Sequence, residues 1–458
     1  MALTLIDLPL EILENVCQVL CPHCLGTTDK IRRQHSAWNM AHLRALSSIS
    51  KTCSLLRTIA QPILHHSPLV GTASSFSLAL ALCKRPDLGA RVRELRVGSE
   101  MYSQRDYTIT EEESEYLTKH LAEFSESRGT PIQVLPKWWL ESRHRDPQGR
   151  DQIFCLHSSL ALSSLAMSHA PNVKFLDVQI AWENPTHFPF TPPGSMPRLK
   201  ELTIAYAGRH MNTNLKRSFV GMADIFLQAA PNLTSFKAKN WLIRGIPDTV
   251  TFDHLEELHL RRCRIGLSTL EELMQKAKKL RVFSYTPGAD FLDTFDDAPP
   301  KEVFQAILHR ADTLQQVKVD FTLAPDVIAR CGGDPSLYCM ESIRDMRVLE
   351  ALVVETSTIR FGPGEGVYPR ETITDLLPVS IRSLKIVHSP NGLDSALGHL
   401  AANVPARFKD LRTIYLTGRH GKVQTAFQAV GVKTFVLKEE PSQAPFAIPS
   451  TCYWRLPK

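Results

Sequence analysis

The sequence lacks the features that mark several large classes of protein. No run reaches the roughly eighteen uninterrupted apolar residues that indicate a membrane span, so we expect no membrane partner. The opening Met1–Thr4 has no basic residue and Asp7 interrupts the apolar stretch behind it, so we expect no signal peptide. No long Lys/Arg block occurs and the net charge is only +6 over 458 residues. A nucleic-acid partner is therefore not expected.

Catalytic motifs are also missing. The chain contains no Gly-x-Ser-x-Gly, no His-Glu-x-x-His, no Walker loop and no dinucleotide fingerprint. The glycine-rich stretch 362–366 contains a proline and is not followed by Lys-Ser/Thr, so we interpret it as a turn-forming loop. We predict a non-catalytic protein with no catalytic residues and no cofactor.

What is present describes an ordinary globular chain. Hydrophobic residues make up 43% and charged residues 22% of the sequence. The length suffices for two or more compact units or for one elongated array of repeats. Ten cysteines without a signal peptide favour reduced thiols, hence an intracellular protein, cytoplasmic and/or nuclear.

The first helix of the chain is predicted by its capping residues and its apolar spacing. Asp7 can cap it, Pro9 suits its first turn and Glu11 complements its positive end. An apolar stripe follows at helical spacing, formed by Ile12, Leu13, Val16, Val19 and Leu20. A stripe this apolar requires another surface to cover it.

Two stretches in this region resemble the F-box family. Leu8, Pro9, Glu11, Ile12 and Leu13 match its opening Leu-Pro-x-Glu-Ile-Leu, and a later stretch matches Leu-x-x-Leu-(Ser)-x-(Thr)-Cys-x-x-Leu-Arg through Leu46, Ser50, Thr52, Cys53, Leu56 and Arg57. The resemblance implies three short helices over residues 4–66, with an insertion around 21–40 of a kind similar to fungal F-box proteins. It also implies a Skp adaptor as partner, contacted through Leu8, Pro9, Ile12, Leu13, Val16, Leu46 and Leu56, some of which must also hold the helices together.

Cys17, Cys21, His23 and Cys24 lie close together in this region and suggest a metal site, completed by Cys53 or His65. Only one such cluster exists, whereas structural zinc sites usually show paired ligand spacings. Cys17 and Cys21 also share a helix face with the apolar stripe. We therefore favour core or loop packing and predict no metal.

From residue 67 onward a short phrase recurs, apolar-x-x-apolar-x-apolar, with successive copies after the first gap 21 to 35 residues apart. The copies begin at Val92, Val173, Leu199, Leu233, Leu255, Leu280, Leu314, Leu349, Ile381, Leu411 and Val432. The final two apolar positions alternate with polar ones, so each phrase predicts a short strand with one buried face. Helical stretches lie between them, as in 219–230, 268–279, 303–311 and 394–403. Strand and helix in alternation indicate parallel strands with right-handed crossovers.

The phrase resembles the leucine-rich repeat, most fully in residues 255–265 with Cys263 in the Asn/Cys position. The resemblance implies an α/β fold in which an irregular leucine-rich-repeat solenoid (67–440) follows the small all-helical F-box, with parallel strands on the concave face and helices outside. An ordinary doubly wound sheet is the alternative. Residues 441–458 would be a C-terminal tail or cap.

Two further segments stand out from the repeats. An insertion near 100–150 contains a capping box at Thr110–Glu113, predicting a helix through Phe124, and then Trp138 and Trp139. We interpret the tryptophans as packing residues, with a partner-binding loop as the alternative. The aspartates within 287–300 lack the glycine and final glutamate of a calcium loop, so we interpret them as solvated surface.

The polar position inside each phrase should face out of the sheet. Basic and aromatic residues fill much of this row: Arg96, Lys237, His259, Lys318, Lys385 and Tyr415. We hypothesise that the row binds an acidic or phosphorylated segment of a client protein. The alternative is that Glu94, Glu201 and Glu257 in the neighbouring row neutralise these bases.

The two resemblances together imply the substrate-recognition subunit of a Skp–cullin–F-box ubiquitin ligase. Such a subunit docks the Skp adaptor, and through it cullin, by its F-box, and an unknown client by its repeats. It does no bond chemistry; it acts by proximity and orientation. The alternative is a non-catalytic scaffold whose N-terminal helices cap the solenoid and which acts without a cullin.

Overall fold

The computed structural model describes residues 7–25, 36–70, 74–98, 110–128, 162–180, 191–206, 220–243, 245–288, 298–321, 337, 339–359, 371–387, 391–417 and 420–437. Within them the chain is α/β with parallel sheet. No helix in these ranges combines the length and apolarity that crossing a membrane requires. Trp138, Trp139, the loop at 362–366, the aspartates of 290–297 and the tail from 441 lie outside them.

The chain forms two compact units. The first comprises residues 1–264 with 276–279, and the second comprises 265–275 with 280–458. The boundary predicted at residue 66 therefore falls inside the first unit, which holds both the N-terminal helices and the first strands.

Among the described residues, three helices open the first unit: α1 (Leu10–Val19), α2 (Ser36–Ile49) and α3 (Ser54–Leu64). They enclose a small apolar core of Leu13, Cys17, Cys21, Leu46, Leu56, Ile59, Ala60 and Ile63. The helical spacing of these residues puts one side of each helix inward.

The polar residues of the second N-terminal stretch have local structural roles. Cys53 is the N-cap of α3, and its Sγ accepts a hydrogen bond from the Leu56 N–H at 3.5 Å. Arg57 Nε donates to the Ser50 carbonyl at 3.2 Å. These contacts satisfy backbone groups where α2 ends and α3 begins, which fixes the turn between the two helices.

The rest of the first unit is a parallel sheet with helices between its strands. The strands are β1 (Leu69–Val70), β2 (Glu94–Val97), β3 (Phe175–Ile180), β4 (Glu201–Tyr206), β5 (Ser235–Lys239), β6 (Leu242–Ile243) and β7 (Glu257–Ile265). The helices are α4 (Ser74–Lys84), α5 (Pro86–Gly89), α6 (Glu111–Arg128) and α7 (Val220–Ala229), and residues 162–168 are also helical. The strands pair in the order β1-β2-β3-β4-β5-β7, and β6 pairs with β7.

The second unit repeats the pattern. Its helices are α8 (Leu267–Lys276), α9 (Pro300–Leu308), α10 (Thr372–Leu376), α11 (Asp394–Asn403) and α12 (Gly421–Ala429), with 3₁₀ turns at Thr356–Thr358 and Asn391–Leu393. Its strands are β8 (Val282–Pro287), β9 (Gln316–Val319), β10 (Ala351–Glu355), β11 (Ser383–Val387), β12 (Thr413–Thr417) and β13 (Lys433–Leu437). They pair in parallel in chain order.

Strand order separates the two predicted architectures. In each unit every long strand pairs with the one before it, and the order never reverses. A doubly wound sheet reverses its order at a switch point, whereas stacked repeats do not. The arrangement is therefore solenoid-like.

A repeated hydrogen-bond pattern precedes the strands. The Lys174 carbonyl accepts the N–H groups of both Lys200 and Glu201, at 2.9 and 3.0 Å. Equivalent double acceptors are the carbonyls of His66, Arg93, Lys200, Thr234, Arg281, Gln315, Glu350 and Arg382. At each of these carbonyls, one repeat is hydrogen-bonded to the preceding repeat at or just before the start of its strand. His66, the second residue after α3, is the first member of this ladder.

In each unit the apolar positions of the recurring phrase form the buried face of the sheet. In the first unit Leu95, Leu176, Leu202, Phe236 and Leu258 lie in register across the strands and are buried. In the second unit Phe283, Val317, Leu352, Leu384 and Ile414 do the same. The periodicity of two therefore predicted the buried face.

Several local predictions can be compared with the structure. Thr110 and Glu113 form the reciprocal capping box, with both hydrogen bonds at 3.2 Å, and α6 runs to Arg128 rather than Phe124. In the final strand the copy of the phrase that begins at Val432 puts Val436 at the outward position. In the structure Phe435, not Val436, lies in register with Tyr415. The phrase assigned there was wrong by one residue, because an exposed edge strand has no clear apolar alternation to fix its register.

Candidate functional site

An exposed apolar stripe runs along α1 and the residues before it. Leu8 is 36%, Ile12 44%, Val16 40% and Val19 59% exposed. Spacings of four and three residues put Ile12, Val16 and Val19 on one side of the helix, and Leu8 precedes its N-cap, Pro9. Burying a row of this kind against a partner removes apolar surface from water, which is a main driving force of protein association.

Three of the residues predicted to contact an adaptor are not available to one. Leu13, Leu46 and Leu56 are 2%, 0% and 5% exposed and belong to the core of the helices. They are corrected from contact residues to core residues, because one side of each short helix must cover the others. Leu8, Pro9, Ile12 and Val16 are exposed as an adaptor contact requires.

The outward row of the sheet carries acidic and aromatic neighbours in the first unit. Arg96, Asp177, Thr203, Lys237 and His259 are in register on successive strands. Lys237 Nζ forms an ion pair with Glu201, and His259 Nε2 lies 3.6 Å from Glu257 Oε2. The Arg96 guanidinium lies over the Phe175 ring, 5.9 Å from its centroid. Lys237 is therefore compensated by a carboxylate, whereas Arg96 keeps its charge and is partly covered by a ring.

The pKa of His259 reflects the same surroundings. Burial lowers the pKa of this imidazole, and the Lys237 ammonium lowers it further. The carboxylates of Glu257 and Glu201 act in the opposite direction. Burial is the larger influence, so His259 is neutral at neutral pH.

The row differs in the second unit. Ser284, Lys318, Val353, Lys385 and Tyr415 are in register there, and the ring of Phe435 stacks on Tyr415 with centroids 5.0 Å apart. The row on the amino-terminal side of this one holds the uncharged residues Val282, Gln316, Ala351, Ser383 and Thr413. On its carboxyl-terminal side Glu355 is in register with Val387. Within the described ranges no carboxylate pairs with Lys318 or Lys385. These two lysines, with the stacked aromatic pair, form what we call the basic–aromatic row.

A compact group of sulfur and imidazole side chains lies where α1 ends. One ligand atom from each of Cys21, His23, Cys24 and His66 falls within 4.8 Å of all the others. Cys24 Sγ is 3.3 Å from His66 Nδ1 and 3.8 Å from His23 Nδ1, and Cys21 Sγ is 3.9 Å from His66 Nδ1. We call these four residues the Cys–His cluster.

The other residues suggested for a metal site lie elsewhere. Cys17 is buried in the helical core, Cys53 caps α3, and His65 Nδ1 bonds the Gln61 carbonyl at 2.8 Å. His66 could not be assigned to this group from the sequence, because no spacing rule connects it to cysteines more than forty residues earlier. The C-x-x-C spacing of Cys21 and Cys24 is the part of this group that the sequence itself shows.

Ionisation in the Cys–His cluster follows from burial and crowding. Burial, with Cys21 next to it, raises the pKa of the Cys24 thiol to about 12. Burial, with His23 nearby, lowers the pKa of His66 to about 4. Without a bound cation the Cys24 thiol and the His66 imidazole are therefore both neutral at neutral pH.

A second, smaller group involves Cys83, His120 and His169. The His120 and His169 Nε2 atoms are 3.3 Å apart and their rings stack. Tyr116 stacks on His120, and the Lys84 ammonium lies over the Tyr116 ring. One imidazole donating to the other accounts for this geometry, so the group fastens α6 to the helical residues 162–168.

No family model matches the chain, and no curated protein matches its sequence.

Proposed function

We propose that the protein is the substrate-recognition subunit of a Skp–cullin–F-box ubiquitin ligase. The observation that carries the proposal is the exposed apolar stripe of Leu8, Ile12, Val16 and Val19 on a helical group that already has a complete core. The motif residues behind the resemblance divide into those that build this group and those that remain on its surface. The surface set would dock the Skp adaptor.

The repeated strands would hold the client. The basic–aromatic row of the second unit offers a stacked aromatic pair and two ammonium groups that no carboxylate of the described residues pairs with. An acidic or phosphorylated segment suits it, since ammonium groups attract carboxylates and phosphates and the rings add apolar contact area. Arg96, Lys237 and His259 contribute less to this proposal than the sequence predicted, because Lys237 is paired with Glu201, His259 is neutral and Arg96 lies over the Phe175 ring.

The division of labour explains the absence of catalytic motifs. A receptor subunit raises the local concentration of client lysines near the charged ubiquitin carrier, so its contribution is proximity and orientation. Such a role requires that the adaptor face be firmly attached to the sheet. The His66 carbonyl accepts the Arg93 and Glu94 N–H groups, both at 2.9 Å, which joins the end of the helices directly to β2.

One observation favours the alternative of a capped scaffold. Because His66 continues the carbonyl ladder and β1 pairs with β2, the helices lead directly into the first edge of the sheet, the place that a terminal cap occupies. A cap, however, needs apolar residues only on the side that faces the sheet. It would not account for the exposed apolar stripe on the other side of the helices. Recovery of cullin together with the adaptor separates the two functions.

Co-purification with a recombinant Skp adaptor tests the proposal. We expect the native chain to form a complex, and the Leu8→Asp, Ile12→Asp variant to lose it while its circular dichroism stays native. Val379→Asp is the matched control, because Val379 is 54% exposed in the second unit and far along the chain from the stripe. A folded native chain that ignores the adaptor would overturn the proposal.

The client surface is tested with an array of acidic and phosphorylated peptides. We expect the Lys318→Glu, Lys385→Glu variant to lose the peptides that the native chain retains. The control is Lys409→Glu, Lys422→Glu, which changes the net charge equally at exposed positions outside the row. Equal loss in both variants would show a non-specific charge effect and remove the row from the proposal.

A further inference from the structure

We propose that Cys21, His23, Cys24 and His66 bind a structural zinc ion that fastens the end of α1 to the start of the sheet. This site is independent of adaptor binding and of the ligase proposal. It rests on the geometry of the four side chains and on the position of His66 in the backbone.

The distances in the Cys–His cluster suit tetrahedral coordination. Zn–S bonds of about 2.3 Å and Zn–N bonds of about 2.0–2.1 Å place neighbouring tetrahedral ligands about 3.3–3.8 Å apart. The three separations between sulfur and Nδ1 atoms are 3.3, 3.8 and 3.9 Å. A cation could therefore enter with small side-chain adjustments.

The chemistry of the donors selects the metal. Two sulfurs and two imidazole nitrogens in a tetrahedral arrangement are a typical zinc set, whereas magnesium and calcium require oxygen ligands. Cys21 is 1% exposed, and the hydrogen bond that its thiol donates to the Ile63 carbonyl, at 3.7 Å, is weak. Four protein ligands leave no open position, so the site would be structural and not catalytic.

The backbone explains what the ion would accomplish. Cys21, His23 and Cys24 follow α1, while His66 follows α3 and its carbonyl holds the Arg93 and Glu94 N–H groups. A metal bond to the His66 ring would therefore connect the first helix to the first step of the carbonyl ladder. The three helices have only a small core, and small cores commonly depend on such a link.

Metal analysis of the full chain, purified under reducing conditions, tests the proposal. We expect about one zinc per chain, and X-ray absorption at the zinc edge showing two sulfur and two nitrogen neighbours. Cobalt substituted for zinc should give the visible and charge-transfer bands of a thiolate-ligated tetrahedral ion. An apoprotein that binds neither metal, or a Cys21–Cys24 disulfide in the reduced preparation, would overturn the site.

Variants locate the ion. Cys24→Ser and His66→Asn should each weaken zinc binding at least tenfold, whereas Cys83→Ser, in the second sulfur–imidazole group, should leave one zinc bound. If Cys83→Ser lost its zinc while Cys24→Ser and His66→Asn kept theirs, the metal would belong to the second sulfur–imidazole group and the proposal would be refuted. Should the first two variants fail to fold, hydrogen exchange of the native chain decides. Chelation should then speed exchange at the Arg93 and Glu94 amides and leave the Arg412 and Thr413 amides, which bond the Arg382 carbonyl, unchanged.

Discussion

Ile12 and Leu13 are neighbours in the chain but face opposite environments: Ile12 is 44% exposed on α1, and Leu13 is 2% exposed in the helical core. Successive helical residues are rotated by about 100°, so adjacent apolar residues can serve two surfaces. The proposed function requires this division, with one surface for the helices themselves and one for the adaptor.

Alanine substitutions at these two positions should have opposite consequences. Leu13→Ala should lower the free energy of unfolding by about 2–5 kcal/mol, because it leaves a cavity in a small core. Ile12→Ala should change it by no more than about 0.5 kcal/mol, because the residue is a surface residue in the isolated chain. Urea unfolding and adaptor affinity, measured on both variants, check the prediction. A weaker adaptor complex for Leu13→Ala with unchanged stability would contradict it.

The sheet was predictable from the sequence because it depends on a short periodic pattern. Leu95, Leu176 and Leu202 occupy the same place in three phrases and the same row in the structure. Burial of alternate residues is a local consequence of strand geometry, so it is visible in the sequence. The edge strand β13 lacks such a pattern, and there the prediction slipped by one residue.

The candidate sites were less predictable because they depend on long-range contacts. The row of glutamates beside the outward row suggested that its bases are neutralised. The residues around Lys237 in the sequence do not show that its partner is Glu201, which lies on the adjacent strand. His66 reaches Cys24 only because α2 and α3 fold back on α1. Likewise, the division between Ile12 and Leu13 requires knowing which side of α1 the other helices cover.

Gly89 is required by a close backbone approach. A Cβ added there would lie 2.0 Å from the His169 carbonyl oxygen, which cannot move without shifting the chain. Gly89→Ala should therefore lower the free energy of unfolding by at least about 1–3 kcal/mol. Gly398→Ala is the control, since nothing lies within 4 Å of that position inside α11, and alanine should stabilise the helix by about 0.5–1 kcal/mol. If the melting temperatures of Gly89→Ala and Gly398→Ala shifted in the same direction, the close approach at Gly89 would not explain its effect.

Asp224, on α7, should make stability depend on pH. Burial raises the pKa of its carboxyl to about 7, so the folded chain favours the protonated form. The stability it contributes is full below the ordinary pKa of 3.8 and is lost as the pH rises through 7. Asp224→Asn cannot ionise, so its melting temperature should exceed that of the native chain at pH 8 and not at pH 4. We expect about 1–2 kcal/mol, since the full shift is equivalent to about 4 kcal/mol and the half-buried carboxyl keeps part of its hydration.

His259 should report the charge of its neighbour on β5. Its pKa is lowered by burial and then by Lys237, so stability is full above the ordinary value of 6.5 and falls as the pH drops towards the folded-state pKa. Lys237→Met removes the nearby ammonium and should raise the pKa of His259. Glu257→Gln removes a carboxylate that raises this pKa and should lower it further.

Nuclear magnetic resonance titration of labelled histidine, with His259→Gln to assign the signal, measures both changes in His259. Opposite shifts in the Lys237→Met and Glu257→Gln variants would establish that the outward row of the first unit is an electrostatically coupled group. A pKa that stays fixed in both variants would mean that burial alone sets it. Solvent would then screen the charges of Lys237 and Glu257 from His259. The outward rows of the two units would not differ in their electrostatic coupling.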